Sequence, residues 1–152
     1  MPEVEAHDAR RLFGTARVAR LATVDAEGRP HLVPLVFAQA DDMIVTAVDH
    51  KPKKAVRLKR LRNIVAHPAV CLLVDAYDED WDRLWWVRAD GDARIVSPDA
   101  PEVSVRDEHA AAVALLRQKY VPYRRQPPHG PVIVVTVRRW TGWRAVPEDD
   151  DG

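Results

Sequence analysis

The run Pro131-Val-Ile-Val-Val-Thr-Val-Arg138 is the strongest strand signal in the chain, and it constrains the fold more than any other feature. A continuous β-branched run of strand length needs cover for its side chains. Val70-Cys-Leu-Leu-Val74 makes the same demand and reads as a central strand buried on both sides. Further strand-like segments are Arg17–Val24, His31–Ala38, Met43–Val48, Leu84–Ala89 and Ala93–Val96, with Trp140–Ala145 closing the chain. Turn chemistry separates them at Asp25–Pro30, at Ala40–Asp42 and at Asp90-Gly91-Asp92, the last predicting a hairpin. Pro34 inside the second strand predicts an edge, a bulge or an opened ladder.

Three helices are expected. Residues 5–13 place Ala6, Ala9, Leu12 and Phe13 on one side. A second helix follows Pro52, with Leu58, Leu61 and Val65 as its apolar stripe and His67-Pro68 as its stop. A third opens at Asp99 and Glu102, which have capping-box spacing, and runs to about Lys119. It carries Val105, Ala112, Leu115 and Leu116, and Tyr120–Pro131 reads as a Pro-rich loop. Seven or eight strands that do not alternate strictly with helices argue against a parallel sheet. An antiparallel barrel with helices at its ends fits better.

The 152 residues suit one domain, 1–152, with no internal repeat and no separating linker. No apolar run is long enough to cross a membrane, and the charged N-terminus lacks the apolar core of a secretory signal. A single cysteine, Cys71, excludes an internal disulfide and fits a reducing, cytoplasmic setting. The acidic tail, residues 147–152, is expected to be disordered.

Chemistry of the protein's own is sparse. There is no dinucleotide-binding glycine turn, P-loop or nucleophile elbow. His7, His31, His50, His67, His109 and His129 lack metal-ligand spacing, so no metal is expected. Cys71 lies mid-strand, as a core residue does, rather than as a nucleophile. No residue stands out as catalytic, although Tyr123 and His31 could donate a proton. An enzyme of this composition would rely on a cofactor.

Charge placement is more informative. Lys+Arg and Asp+Glu cancel at 23 each, which weighs against a general nucleic-acid coat protein. Yet residues 50–74 contain no acid, and seven cations fall within the 12 positions 51–62. Lys51, Lys53 and Lys54 sit between a strand and a helix N-terminus, where backbone N–H groups also favour an anion. The competing reading is a solvated helix face, though such a face would normally carry interleaved Glu.

In order and spacing, RLATVDAEGRPHLVPLVF at 20–37, IVTAVDHKPK at 44–53 and KRLRNIVAHPAVCLLVD at 59–75 resemble the pyridoxamine 5′-phosphate oxidase-like family. DWDRLWWVRADGDARI at 80–95 and RRWTGWRA at 138–145 extend the resemblance, and the actinobacterial branch of probable coenzyme F420-dependent proteins looks nearest. The resemblance implies a mainly β (α+β) fold, a six-stranded antiparallel split β-barrel flanked by helices. It also implies a homodimer with cofactor at the subunit interface and a small planar substrate, with no nucleic-acid or membrane partner. Thr46 and Ala47 would line the cofactor from the third strand, and Lys59 and Arg60 align with the family's phosphate-binding pair, with Lys51, Lys53 and Lys54 as further candidates. Val33, Pro34 and Leu35 would approach the ring system, and Trp85, Trp86 or Trp143 would close the pocket from the partner subunit.

FMN carries one phosphate, whereas coenzyme F420 is a long polyanion. The density of cations therefore favours F420 and an F420-dependent reductase. The alternatives are an FMN-dependent oxidase or reductase and a non-catalytic flavin- or haem-binding protein.

Overall fold

The structure is a computed structural model that describes residues 3–48 and 54–146, with the side chains of its second helix described from Lys59 onward. The 147–152 tail, Lys51 and Lys53 lie outside the described residues. Elements run β1 (Glu3–Val4), α1 (Ala6–Gly14), β2 (Ala19–Val24), β3 (Pro30–Leu35), β4 (Ala38–Ala40), β5 (Met43–Ala47) and α2 (Lys54–Ala66). They continue with β6 (Ala69–Ala76), a 3-10 turn (Trp81–Arg83), β7 (Trp85–Val96), α3 (Val103–Lys119), α4 (Val121–Arg125) and β8 (Val132–Arg144).

All described strands join one antiparallel sheet in the order β3-β2-β6-β7-β8-β5-β4, with β1 added beside β8. The six longer strands are those the resemblance implies; two short ones, β1 and β4, raise the count to eight. The ends of the path, β3 and β4, are separated in sequence only by Val36 and Phe37. The sheet therefore curls until its two edges meet without pairing, which is the split of a split barrel. Pro34 lies on the edge strand β3, where a missing N–H leaves no ladder bond unmade.

Period-2 alternation assigns the two faces. Leu21, Leu72, Val87, Ala89, Ile133 and Val135 point inward and form the main core. Ala9, Leu12 and Phe13 of α1 and Ile64 of α2 belong to the same cluster. A second cluster lies on the outer face: Val132 and Val134 of β8 with Val45 and Ala47 of β5, covered by Ala112 and Leu116 of α3. The run 132–135 is thus apolar throughout because both faces are covered. Each buried Val or Leu contributes roughly 1.5–3 kcal/mol.

Tyr120–Pro131, read as a loop, holds α4, and the segments Pro131–Arg138 and Trp140–Ala145 join in one strand, β8. Four further expectations change. The Asp90-Gly91-Asp92 hairpin does not form: β7 runs unbroken through it, with a bulge between Asp90 and Gly91. A Cβ on Gly91 would lie 2.3 Å from the Thr136 carbonyl oxygen, so this glycine serves close backbone approach rather than a turn. The capping box at Asp99 and Glu102 is also absent. α3 starts one residue after Glu102, whose side chain makes no cap bond. On α2 the inward stripe uses Leu61 and Ile64, while Val65 is 75% exposed. Finally, the strand at 70–74 is covered on one face only, since Val70, Leu72 and Val74 are buried but Cys71 and Leu73 are half-buried on the outer face. No described helix is long and apolar enough to cross a membrane.

Candidate functional site

The outer face divides into two halves. α3 covers the half built on β4, β5 and the start of β8. Over β3, β2, β6, the start of β7 and the end of β8 no described element lies. On β7, Trp86, Arg88 and Asp90 alternate with inward Val87 and Ala89, so they stand on this open half. Register places Asp75, Trp86 and Trp143 in one row, and Leu73, Arg88 and Thr141 in the next.

This patch has the features of a ligand surface. The Arg88 guanidinium lies 5.7 Å from the Trp86 ring centre, and its Nε donates to Asp90 at 3.2 Å. Arg20 donates to Asp75 at 3.1 Å and fixes the neighbouring edge. Leu73, Asp75, Tyr77, Trp86 and Arg88 line a cleft of about 370 Å3. Leu32 and Tyr77 are 66% and 72% exposed. The Trp143 indole Nε1 and the Thr141 Oγ1 are buried, and neither has a hydrogen-bond partner among the described residues. An unsatisfied buried polar group costs about 1–3 kcal/mol, so both call for a partner from outside this chain.

Cys71 shares the face but is chemically quiet. Burial and the nearby Asp90 carboxylate push its thiol above the ordinary range. No group of His, Cys, Asp or Glu that could hold a metal occurs among the described residues.

The other predicted residues scatter. Thr46 is buried and its Oγ1 donates to the Val36 carbonyl at 2.8 Å, tying β5 to the link between β3 and β4. Ala47 packs under α3. Of the three predicted residues on β3, Pro34 is exposed, while Val33 and Leu35 turn inward to the core. Lys59 is exposed and, with Arg62, flanks a cleft of about 380 Å3 beside the β2–β3 turn. Asp25 and Glu27 line the same cleft, and hydrogen bonding by the Arg29 backbone N–H holds the Asp25 carboxyl below its ordinary range. Arg60 is half-buried, and Lys54 opens α2.

Among the tryptophans, Trp85 packs on the core and Trp140 stands edge-on to Phe13, so only Trp86 and Trp143 reach the open face as a pair. Tyr123 packs edge-on to Tyr120 within the second cluster, and His31 pairs in register with buried Thr23. Arg88 and Thr141 were not singled out from sequence; the alternation of Trp86, Arg88 and Asp90 was the available signal.

Separation matters more than any single placement. Thr46 pairs with Ile133 near the start of β8, while Trp86 pairs with Trp143 near its end. Ten residue steps at about 3.3 Å each put these places roughly 30 Å apart along the strand.

The family comparison decides what this fold is. The profile described as pyridoxamine 5′-phosphate oxidase matches residues 6–144. The chain belongs to that family. Its matched span contains every described element except β1. Among solved structures, a FAD-binding protein of Mesorhizobium loti is 18% identical, with 93% of this chain and 95% of that one covered and a TM-score of 0.67. A conserved hypothetical protein of Mycobacterium tuberculosis is 22% identical over 98% of this chain and 92% of that one, at 0.67. The heme storage protein HutZ of Vibrio cholerae is 17% identical over 93% and 95%, at 0.63. These likenesses establish the shared architecture. No curated protein matches the chain by sequence.

Proposed function

We propose that this member of the pyridoxamine 5′-phosphate oxidase family is a homodimeric oxidoreductase that binds coenzyme F420 in a site shared between two copies. The observation that carries the reading is the open half of the sheet. There Trp86 and Trp143 stand side by side, and two buried polar atoms lack partners. An indole N–H and a hydroxyl suit the carbonyl oxygens of a deazaflavin or flavin ring, so the residues present fit such a group. The separation of roughly 30 Å along β8 between Trp143 and the β5 end that leads into the basic segment supports a shared site. A ring cannot touch both in one copy, whereas a two-fold partner can bring one copy's aromatic pair to the other's basic segment.

Within such a site Lys59, Arg60 and the lysines before them hold the phosphate end. Trp86 and Trp143 present flat apolar faces, exclude water and orient a planar substrate against the ring. Arg88 is held by Trp86 and Asp90 and offers its remaining N–H groups to an anionic substituent. Bound F420 would supply the hydride. Seven cations in 12 positions without one acid favour F420 over FMN.

The test is fluorescence titration of the purified protein with F420, FMN and haem. The expected order is F420 tighter than FMN. Tight FMN binding with no F420 binding would turn the reading to an FMN enzyme. Haem binding alone, with no reduction of any acceptor, would turn it to a carrier.

A further inference from the structure

The cleft of about 370 Å3 on the open face combines groups that cofactor binding alone does not call for. Leu73 and Asp75 line it from β6, Tyr77 from just beyond that strand, and Trp86 and Arg88 from β7. It lies on the β6 side of β7, whereas Thr141 and Trp143 pair with Arg88 and Trp86 from the β8 side. A ring seated over β8 therefore flanks this cleft and leaves it for a second molecule.

Two polar groups in the cleft are half used. The Arg88 guanidinium is fixed twice, by the Trp86 ring and by the bond from its Nε to Asp90, and neither Nη has an acceptor among the described residues. Those two end-on nitrogens are the part of the fork that takes a carboxylate in parallel bonds. Asp75 accepts from Arg20 at Oδ1, and its Oδ2 has no donor among the described residues. Asp75 faces Trp86 in register and Leu73 faces Arg88, so Asp75 and Arg88 are diagonal neighbours, with Cα atoms about 7–8 Å apart. Side chains that stand upright on a sheet carry such a spacing outward. It suits the opposite ends of one substituted benzene ring, and Trp86, Tyr77 and Leu73 supply the apolar surface between.

We propose that this cleft takes a single-ring aromatic carboxylate with a hydroxyl or amino group on the far side of the ring. Its carboxylate accepts from the two Arg88 Nη groups, its ring lies against Trp86, Tyr77 and Leu73, and its O–H or N–H donates to Asp75. The inference rests on the open face being the reaction site and names the substrate class for it. A neutral ring forfeits the charge-assisted pair, and a ring without a donor leaves Asp75 covered and unsatisfied. The cleft volume lies in the range that takes small molecules.

Calorimetric titration of the full chain without cofactor tests this separately from the F420 titration. 4-Hydroxybenzoate should bind saturably, one per chain. 4-Hydroxybenzamide has the same shape without the charge and should bind about tenfold more weakly or worse. Arg88→Gln should erase the difference between the two, and Arg88→Lys should retain part of it. Benzoate should bind about threefold more weakly than 4-hydroxybenzoate, and Asp75→Ala should remove that preference. Melting curves establish that each variant is folded, and the comparison of acid with amide needs no variant. Equal binding of acid and amide by the wild type would overturn the proposal, as would acid binding that Arg88→Gln leaves unchanged. An absence of saturable 4-hydroxybenzoate binding would overturn it even where F420 binds tightly. Selective acid binding by a chain that takes no F420 would support the cleft assignment and overturn the cofactor reading instead.

Discussion

Trp86 of β7 and Trp143 of β8 lie directly opposite one another in the antiparallel ladder, on the half of the sheet that no described helix covers. The two indoles stand on neighbouring strands of the same face, and Trp143 Nε1 has no acceptor within the described residues. Stacking on an aromatic side chain is worth about 1–3 kcal/mol per ring, using nucleic-acid bases as the guide. Trp86→Ala should therefore weaken F420 binding by about tenfold or more. Its melting temperature should change little, because Trp86 is only half-buried. Titration beside a melting curve checks both.

Gly91→Ala should be the most damaging small substitution in the barrel. Its new methyl would meet the Thr136 carbonyl oxygen at 2.3 Å and a Val135 methyl at 2.9 Å. Forcing β7 and β8 apart at the bulge should cost about 3 kcal/mol. A drop in melting temperature of about 6–12 °C is the corresponding readout for a chain of this size.

Sequence reading failed at Gly91 for a physical reason. Asp-Gly between apolar runs is compatible with a turn or with a bulge, and only the Thr136 backbone across the ladder selects the bulge. The strands themselves were legible wherever alternation or β-branching was strong, as in β2, β5, β6 and β8. Val65 misled because its spacing from Leu61 fits a stripe, yet Ile64 takes the inward position. For the site, the acid-free segment was visible in sequence. Which tryptophans share a face was not, since that depends on the register between Trp86 and Trp143.

Asn63 and Thr23 form a buried polar pair between α2 and β2, with Asn63 Nδ2 donating to Thr23 Oγ1 at 3.1 Å. Asn63→Leu leaves the hydroxyl without its donor and should destabilise by about 1–3 kcal/mol. The double change Asn63→Leu with Thr23→Val removes both polar groups and should recover most of that loss. Urea unfolding of the wild type and the two variants measures the recovery.

Lys119 supplies a pH signature. Its ammonium is lowered from 10.5 to about 8 in the folded protein by burial. The folded state therefore bears a cost for the charged form that is fully present below about 8 and fades as pH rises toward 10.5. Relative to Lys119→Met, the wild type should gain stability between about pH 7 and 10. Parallel denaturant titrations across that range should show a rising difference; a flat difference would mean the amine titrates normally.

The central claim, one cofactor site built by two copies, is tested most directly by mixing two defective variants. Lys59→Ala removes an exposed cation of the basic segment, and Trp86→Ala removes half of the aromatic pair. Each variant alone should bind F420 poorly. After joint denaturation and refolding in equal amounts, half of the dimers are hybrids, and each hybrid contains one site free of both changes. The account predicts that about one quarter of the wild-type number of tight F420 sites returns, by the counting of a two-fold dimer. Return of no tight sites, with dimers confirmed by light scattering, would contradict it.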